Sequence, residues 1–255
     1  MAKNLFSDAS VANQFNQYND VLEQVLGYHY VISAFESDQA NKILDYGCGP
    51  GKVSFRLANQ WSSDIIAVDE SAKMIEIAND QRAHEHIEYR IVENDNLNFI
   101  ANNSIDGAMA CYVFINNESE QRILQIMSEI HRVLRPKSRF LILDTNPNTT
   151  GVPFSTFQNG EKGKKYGYGE PRIEKLHVDQ NNDLILHDFN WANSMYENNL
   201  RKAGFRNINV RYPKLNDLTA EERIKLEKTY QYNNWSNEQA QSPFILYQAI
   251  KDGSI

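Results

Sequence analysis

From residue 43 to residue 143 the chain alternates short, continuous apolar runs with segments whose apolar residues recur every three or four positions. Few architectures accept that order. The runs are Ile43 to Tyr46, Ile65 to Val68, Ile87 to Val92, Ile105 to Tyr112 and Arg139 to Leu143. Between them, Val53, Leu57 and Ala58 mark one helix face, and Met74, Ile75, Ile77 and Ala78 a second. Ile123, Ile126, Met127, Ile130, Val133 and Leu134 mark a third; Ser71 is placed to cap the second helix and Pro136 to end the third. Strands apolar on both faces belong to a parallel sheet covered by helices on each side. Right-handed crossovers then make the sheet doubly wound.

The flanks follow other patterns. Phe15, Tyr18, Leu22, Val25 and Leu26 stand at helical spacing with Gly27 as the expected cap, and a second short helix runs from Tyr30 to Phe35, so residues 1–38 read as a helical cap. Residues 145–190 are rich in Gly, Asn, Thr and aromatics and read as an inserted aromatic lid, with strands at 173–178 and 184–189 forming a hairpin around Asp179-Gln180-Asn181-Asn182. A helix from Trp191 to Ala203 ends at Gly204, and Ile208 to Tyr212 is a sixth strand. Thr219 and Glu222 form a capping box, and Phe244 to Ile250 is the last strand. The whole chain, 1–255, reads as one domain.

Composition narrows the partners. A net charge of −7 over 255 residues gives no basic footprint for nucleic acid, and Lys162, Lys164 and Lys165 read as a solvated loop. Cys48 and Cys111 are the only cysteines, which suits a reducing compartment and offers no disulfide or zinc framework. The first residues are polar rather than a secretory core, and no run reaches the roughly 18 apolar residues of a membrane helix. The expectation is a cytoplasmic protein without nucleic-acid or membrane partners and without a bound metal. Nothing in the sequence sets the oligomeric state.

The segment Asp45-Tyr46-Gly47-Cys48-Gly49-Pro50-Gly51 follows a strand and opens a helix. Its glycines let a ligand approach the backbone at the carboxyl end of a parallel strand, where doubly wound sheets bind small molecules. The dinucleotide pattern G-x-G-x-x-G fails, because Lys52 stands where the third glycine belongs. The phosphate loop G-x-x-x-x-G-K-[ST] fails too, since Val53 follows Gly51-Lys52 and position 46 is Tyr.

What remains, D-x-G-x-G-x-G, resembles the first motif of class I S-adenosylmethionine-dependent methyltransferases. Val68-Asp69-Glu70-Ser71 followed by Met74 is similar to that family's second motif, Arg132-Val133-Leu134-Arg135-Pro136 to its R-V-L-x-P, and Ala203-Gly204-Phe205 to its A-G-F. Lys137-Ser138 replaces the two glycines that usually follow the proline. The resemblance covers about residues 40–145 and 191–250. It implies a Rossmann-like sheet of seven strands, mostly parallel with an antiparallel last strand. It also implies S-adenosyl-L-methionine as cofactor and S-adenosyl-L-homocysteine as product.

By resemblance, Asp45 and the Gly47 backbone face the cofactor's ammonium group, with Cys48, Gly49 and Gly51 completing the loop. Asp69 stands at the ribose, Met74 packs on the adenine, and Glu70 belongs to the cofactor set. After the third strand the usual Gly-Asp-Ala is replaced by Glu93-Asn94-Asp95, where Glu93 or Asn94 could serve the adenine contact and Asp95 joins the cofactor set. Tyr18 and Cys111 complete the cofactor set.

Methyl transfer is a displacement that needs alignment and dryness, and a base only when the nucleophile must lose a tightly held proton. The acceptor, a small molecule methylated at O, N, C or S, is therefore left open. Substrate contacts are expected from Tyr28, His29, Tyr112, Phe154, Phe157, Tyr166 and Trp191, with His29 and Tyr112 as catalytic candidates. His187 is expected on the hairpin surface. Two alternatives stand beside this reading. One is a nucleic-acid methyltransferase, although Ala110-Cys111-Tyr112-Val113-Phe114 stands where such enzymes carry N/D-P-P-Y/F. The other is a non-catalytic cofactor-binding protein.

Overall fold

The computed structural model describes residues 5–179 and 182–253. The Gln180-Asn181 tip of the expected hairpin turn lies outside the described residues. In chain order the elements are α1 (Ala9–Gln17), α2 (Val21–Glu23), α3 (His29–Asp38), β1 (Lys42–Tyr46), α4 (Lys52–Gln60), β2 (Asp64–Asp69), α5 (Ala72–Arg82), β3 (Ile87–Ile91) and β4 (Ile105–Cys111). They continue as α6 (Glu120–Val133), β5 (Leu134–Thr145), β6 (Phe157–Asn159), β7 (Glu170–His177), β8 (Asp183–Asn190), α7 (Asn193–Lys202), β9 (Phe205–Arg211), α8 (Ala220–Tyr230) and β10 (Phe244–Lys251).

Seven strands form one sheet in the order β3-β2-β1-β4-β5-β10-β9. β1 to β5 pair in parallel, whereas β10 runs antiparallel to both neighbours. The expected Rossmann-like sheet with an antiparallel last strand is what forms. Alternation along each strand feeds two cores. Ile43, Met109, Leu141 and Leu143 face the α1 to α4 side, while Leu44, Ala108, Ala110, Phe140 and Ile142 face α6 and α7. The order of connections reverses between β1 and β4, and the crevice there is where such sheets bind ligands.

Three expectations need correction. Gly27 caps nothing: α2 passes through a π-helical turn at Gln24–Tyr28 directly into α3. A β-carbon on Gly27 would lie 2.7 Å from Leu143 Cδ2, so this glycine is a point of close packing against β5. Pro136 does not end α6, which stops at Val133; β5 begins at Leu134 and runs through the proline. The expected hairpin gains a third strand, since β6 pairs with β7 and β7 with β8 in a separate antiparallel sheet.

A buried serine at the start of α5 ties down the N-terminal segment. Ser71 Oγ caps α5 by accepting from Met74 N at 3.2 Å and donates to the Phe6 carbonyl at 2.8 Å. Ser71→Ala removes both bonds and is expected to lower unfolding stability by about 1–2 kcal/mol. Denaturant melts check this, and an unchanged midpoint would show that the tether carries no stability.

Candidate active site

The loop after β1 is held by the end of β2. Gly47 N and Cys48 N both donate to the Val68 carbonyl, at 2.7 and 2.9 Å. Asp69 Oδ2 accepts from Gly49 N at 2.9 Å, and its Oδ1 accepts from Ser71 N at 2.8 Å. Asp69 is therefore also the brace of the glycine loop. The three glycines have different neighbours. A β-carbon on Gly47 would sit 2.4 Å from Val113 Cγ2, and one on Gly51 2.5 Å from Tyr89 Oη. At Gly49, whose φ is +53°, the nearest atom to such a carbon is Phe15 Cε1 at 3.9 Å, so the backbone there faces open room. Gly51 is the one loop glycine outside the cavity lining.

Asp45 is buried at the end of β1, and Ser54 Oγ donates to its Oδ2 at 2.6 Å. Burial raises its carboxyl to about 7 despite that bond. Burial likewise raises Asp69 to about 6, against the lowering effect of the two backbone donors. Both acids border a cavity of about 800 Å³, inside the range for small-molecule sites.

Met74, Glu70, Asn94 and Asp95 border the same cavity beyond Asp69. Asp95 accepts from Tyr46 Oη at 2.9 Å and from Arg122 Nε and Nη2, each at 2.8 Å. Arg122 also donates to Glu70 at 2.5 Å, so α6 is clamped to the loops after β2 and β3. Glu93 departs from expectation: it is exposed and outside the cavity, because the chain turns at Asn94 and Asp95 with positive φ and carries the next two residues inward.

The remaining walls come from the N-terminal helices, the β4 exit and the small sheet. Tyr18, Tyr28, Cys111, Tyr112 and Phe157 all contribute. Tyr112 adopts left-handed backbone, φ +58°, which turns the chain sharply at the end of β4. Its ring meets Tyr28 edge-on at 6.1 Å and Phe244 at 5.5 Å, and its hydroxyl is buried without a partner. Phe157 stacks on Phe244 at 5.4 Å.

Four expected substrate residues lie elsewhere. His29 is exposed and outside the cavity, one residue past Tyr28 on the turning helix, and its ring packs on Tyr30. Desolvation lowers its pKa, and the residue takes no part in the cavity lining. Phe154 is buried behind Phe157. Tyr166 Oη accepts from Glu161 N, inside its own loop. Trp191 packs into the α6–α7 core, its Nε1 donating to the Asn117 carbonyl. His187, expected on the surface, is exposed yet borders the cavity.

Sequence reasoning missed Glu23, Glu174 and Arg122. Glu23 had a signal: it interrupts the apolar run Val21-Leu22-Glu23-x-Val25-Leu26. Glu174 had one in the alternation of β7, which buries Arg172, Glu174 and Leu176 while Ile173 stays exposed. Arg122 had none, since nothing in a helix's first turn marks which loop it will reach.

A family model described as a methyltransferase domain matches residues 43–137. The chain is 35% identical over 181 residues to the N-demethylindolmycin N-methyltransferase of Streptomyces griseus, covering 71% of this chain and 76% of that one. It is 28% identical over 192 residues to the 2-phytyl-1,4-naphtoquinone methyltransferase of Nostoc punctiforme, covering 66% and 80%. Among solved structures it resembles an S-adenosylmethionine dependent methyltransferase from Mesorhizobium loti, with TM-score 0.56, 18% identity and 87% and 96% coverage. It also resembles phosphoethanolamine N-methyltransferase 2 of Haemonchus contortus in complex with S-adenosyl-L-methionine, with TM-score 0.57, 16% identity and 97% and 58% coverage.

Proposed function

The chain belongs to the class I S-adenosylmethionine-dependent methyltransferases, and from that premise we propose that it methylates a small molecule with an apolar, ring-sized body, of the kind made in secondary metabolism. The observation that carries this is a continuous cavity of about 800 Å³, which runs from Asp45, Gly49 and Asp69 to Tyr28, Tyr112, Phe157 and Phe244. It has room for a nucleoside cofactor and a modest second ligand together. The relatives named for N-demethylindolmycin and for a phytyl naphthoquinone support a small acceptor.

The residues at the loop fit the cofactor. Open room at Gly49 admits a ligand against the backbone. Asp45, ionised, matches an ammonium group, and Asp69 keeps lone pairs for ribose hydroxyls beyond those used by Gly49 N and Ser71 N. When bound, the cofactor supplies a methyl group on a positively charged sulfur. The protein's part is to fix the acceptor's line of approach and to exclude water. Phe157, Leu176 and Leu186 from the small sheet supply an apolar cover over the cavity. In this reading residues 145–190 serve as the lid of a single domain.

S-adenosyl-L-homocysteine at about 100 times its dissociation constant is expected to stabilise the protein by about 2.7 kcal/mol, roughly 5–10 °C in melting temperature. NAD is expected to give no shift. A metabolite extract incubated with the enzyme and methyl-labelled cofactor is expected to yield labelled small molecules. Label confined to added DNA or RNA would overturn the small-molecule reading.

A further inference from the structure

Two carboxylic acids in the cavity wall come from segments outside the glycine-loop core: Glu23 from α2 and Glu174 from β7. Each is almost wholly buried, at 5% and 6% exposure. Tyr18 Oη donates to Glu23 Oε1 at 2.6 Å and fixes the side chain, while Glu23 Oε2 is buried with no partner. The nearby cations are committed elsewhere. Arg56 pairs with Asp20 at 2.8 Å, Lys52 donates to the Tyr18 carbonyl at 2.9 Å, and Arg172 pairs with Asp188 at 3.2 Å. Among the described residues no Lys, Arg or His stands within ion-pair distance of either acid.

A buried carboxylate without a counter-charge is costly, and two in one cavity compound the cost. Burial pushes the Glu23 carboxyl up to about 8, with Tyr18 and Lys52 lowering it and Asp20 raising it. Burial also raises Glu174, which faces Asp188, Arg172 and Asp144 as well as Glu23. Burial thus favours the protonated acids in the empty site, and the cavity's Lys52 and Arg122, engaged with the Tyr18 carbonyl and with Asp95, form no ion pair with either. The same cavity is lined by Phe157, Leu176, Leu186, Tyr28 and Tyr112. The complementary ligand brings an N–H donor with positive charge on an apolar body.

We propose that the methyl acceptor is a primary or secondary amine on an aromatic-sized body, its nitrogen bound between Glu23 and Glu174, with Glu23 taking one of its protons. This rests on the cavity being the acceptor site of the methyltransferase. The bound ammonium first gives one N–H proton to Glu23 Oε2, the oxygen Tyr18 leaves free, which uncovers the nitrogen lone pair. That lone pair forms the new carbon–nitrogen bond as the methyl–sulfur bond breaks, its electron pair staying with sulfur, and the product leaves as the methylated ammonium. Tyr18 is then a positioning residue.

The test is calorimetry on protein saturated with S-adenosyl-L-homocysteine, titrated with naphthylmethylamine and with its uncharged counterpart naphthylmethanol. The amine is expected to bind about tenfold or more tightly than the alcohol, and Glu23→Gln to erase that preference. Glu174→Gln is expected to reduce it and serves if the first variant does not fold. Glu23→Gln is also expected to raise the melting temperature of the ligand-free protein, because it removes a buried acid kept for function. A merely structural glutamate would lower it. Equal binding of amine and alcohol, binding of neither, or an unchanged preference in both variants overturns the proposal. S-adenosyl-L-homocysteine affinity in the same samples separates the outcomes: its absence defeats the methyltransferase site, whereas its retention without amine preference defeats only the acceptor assignment.

Discussion

Gly49→Val is expected to abolish cofactor binding while the chain stays folded. The two consequences of the substitution separate at this position and at neither neighbouring glycine. A β-carbon here meets nothing closer than 3.9 Å, so the added side chain enters the cavity without displacing protein atoms. The backbone is left-handed at φ +53°, which costs a branched residue about 1–2 kcal/mol. A domain with roughly 5–15 kcal/mol of stability survives that. The valine methyls then occupy the room a ligand needs against the loop. A loss of about 3 kcal/mol or more, a hundredfold in affinity, is expected for S-adenosyl-L-homocysteine by calorimetry. Gly47→Val is the contrasting control: its side chain would start 2.4 Å from Val113 and is expected to damage the fold itself. Affinity within threefold of the parent in Gly49→Val would place the cofactor elsewhere.

Asp69→Ala is expected to cost about 1.5–3 kcal/mol of cofactor affinity, as for lost hydrogen bonds to a charged group. Two losses are expected to combine, that of the proposed ribose contact and that of the brace on Gly49 N and Ser71 N. The parent's affinity should also depend on pH. Burial holds Asp69 near 6 and Asp45 near 7, so both carry protons more readily than free carboxyls at 3.8. The ligand favours their ionised forms, so affinity rises as pH climbs through 6 and 7 and levels off above. The ligand-free fold responds with the opposite sign. Between 3.8 and about 7 the folded chain holds protons that the unfolded chain has released, so these two groups contribute stability at low pH that is lost as pH rises. Titration at pH 5.5 and 8 checks the first trend and denaturant melts the second. A flat affinity profile, or an unchanged dissociation constant in Asp69→Ala, would separate these acids from the cofactor.

The sheet was legible because its central strands are apolar on both faces and its crossover helices are amphipathic, so local pattern and long-range packing agree at Ile43, Leu44, Met109 and Ile142. The loop was legible because Gly47, Gly49 and Asp69 answer to one ligand chemistry. Three things escaped. The π-helical turn at Gln24–Tyr28 has no sequence period of its own, so Gly27 looked like an end and not a contact with Leu143. β6 holds only Phe157, Gln158 and Asn159, too few for an alternation to register. His29 was chosen for its chemistry among tyrosines, and one residue of helix, about 100° of rotation, was enough to turn it from the cavity. Glu23 carried the opposite lesson: polar residues inside an apolar stripe mark either an error of register or a site.

The cavity's walls have two provenances. Its glycine-loop side lies within residues 43–137, the span the methyltransferase domain model matches, whereas Tyr18, Glu23, Tyr28, Phe157, Glu174 and Leu176 lie outside it. On the proposed reading, selection can rework the acceptor side while the electrophile's seat stays fixed, and two chains with the same loop need not share a customer. For an engineer the same partition marks a seam: exchanging β6 to β8 together with the helices before β1 should transplant preference between enzymes and leave S-adenosyl-L-homocysteine affinity where it was.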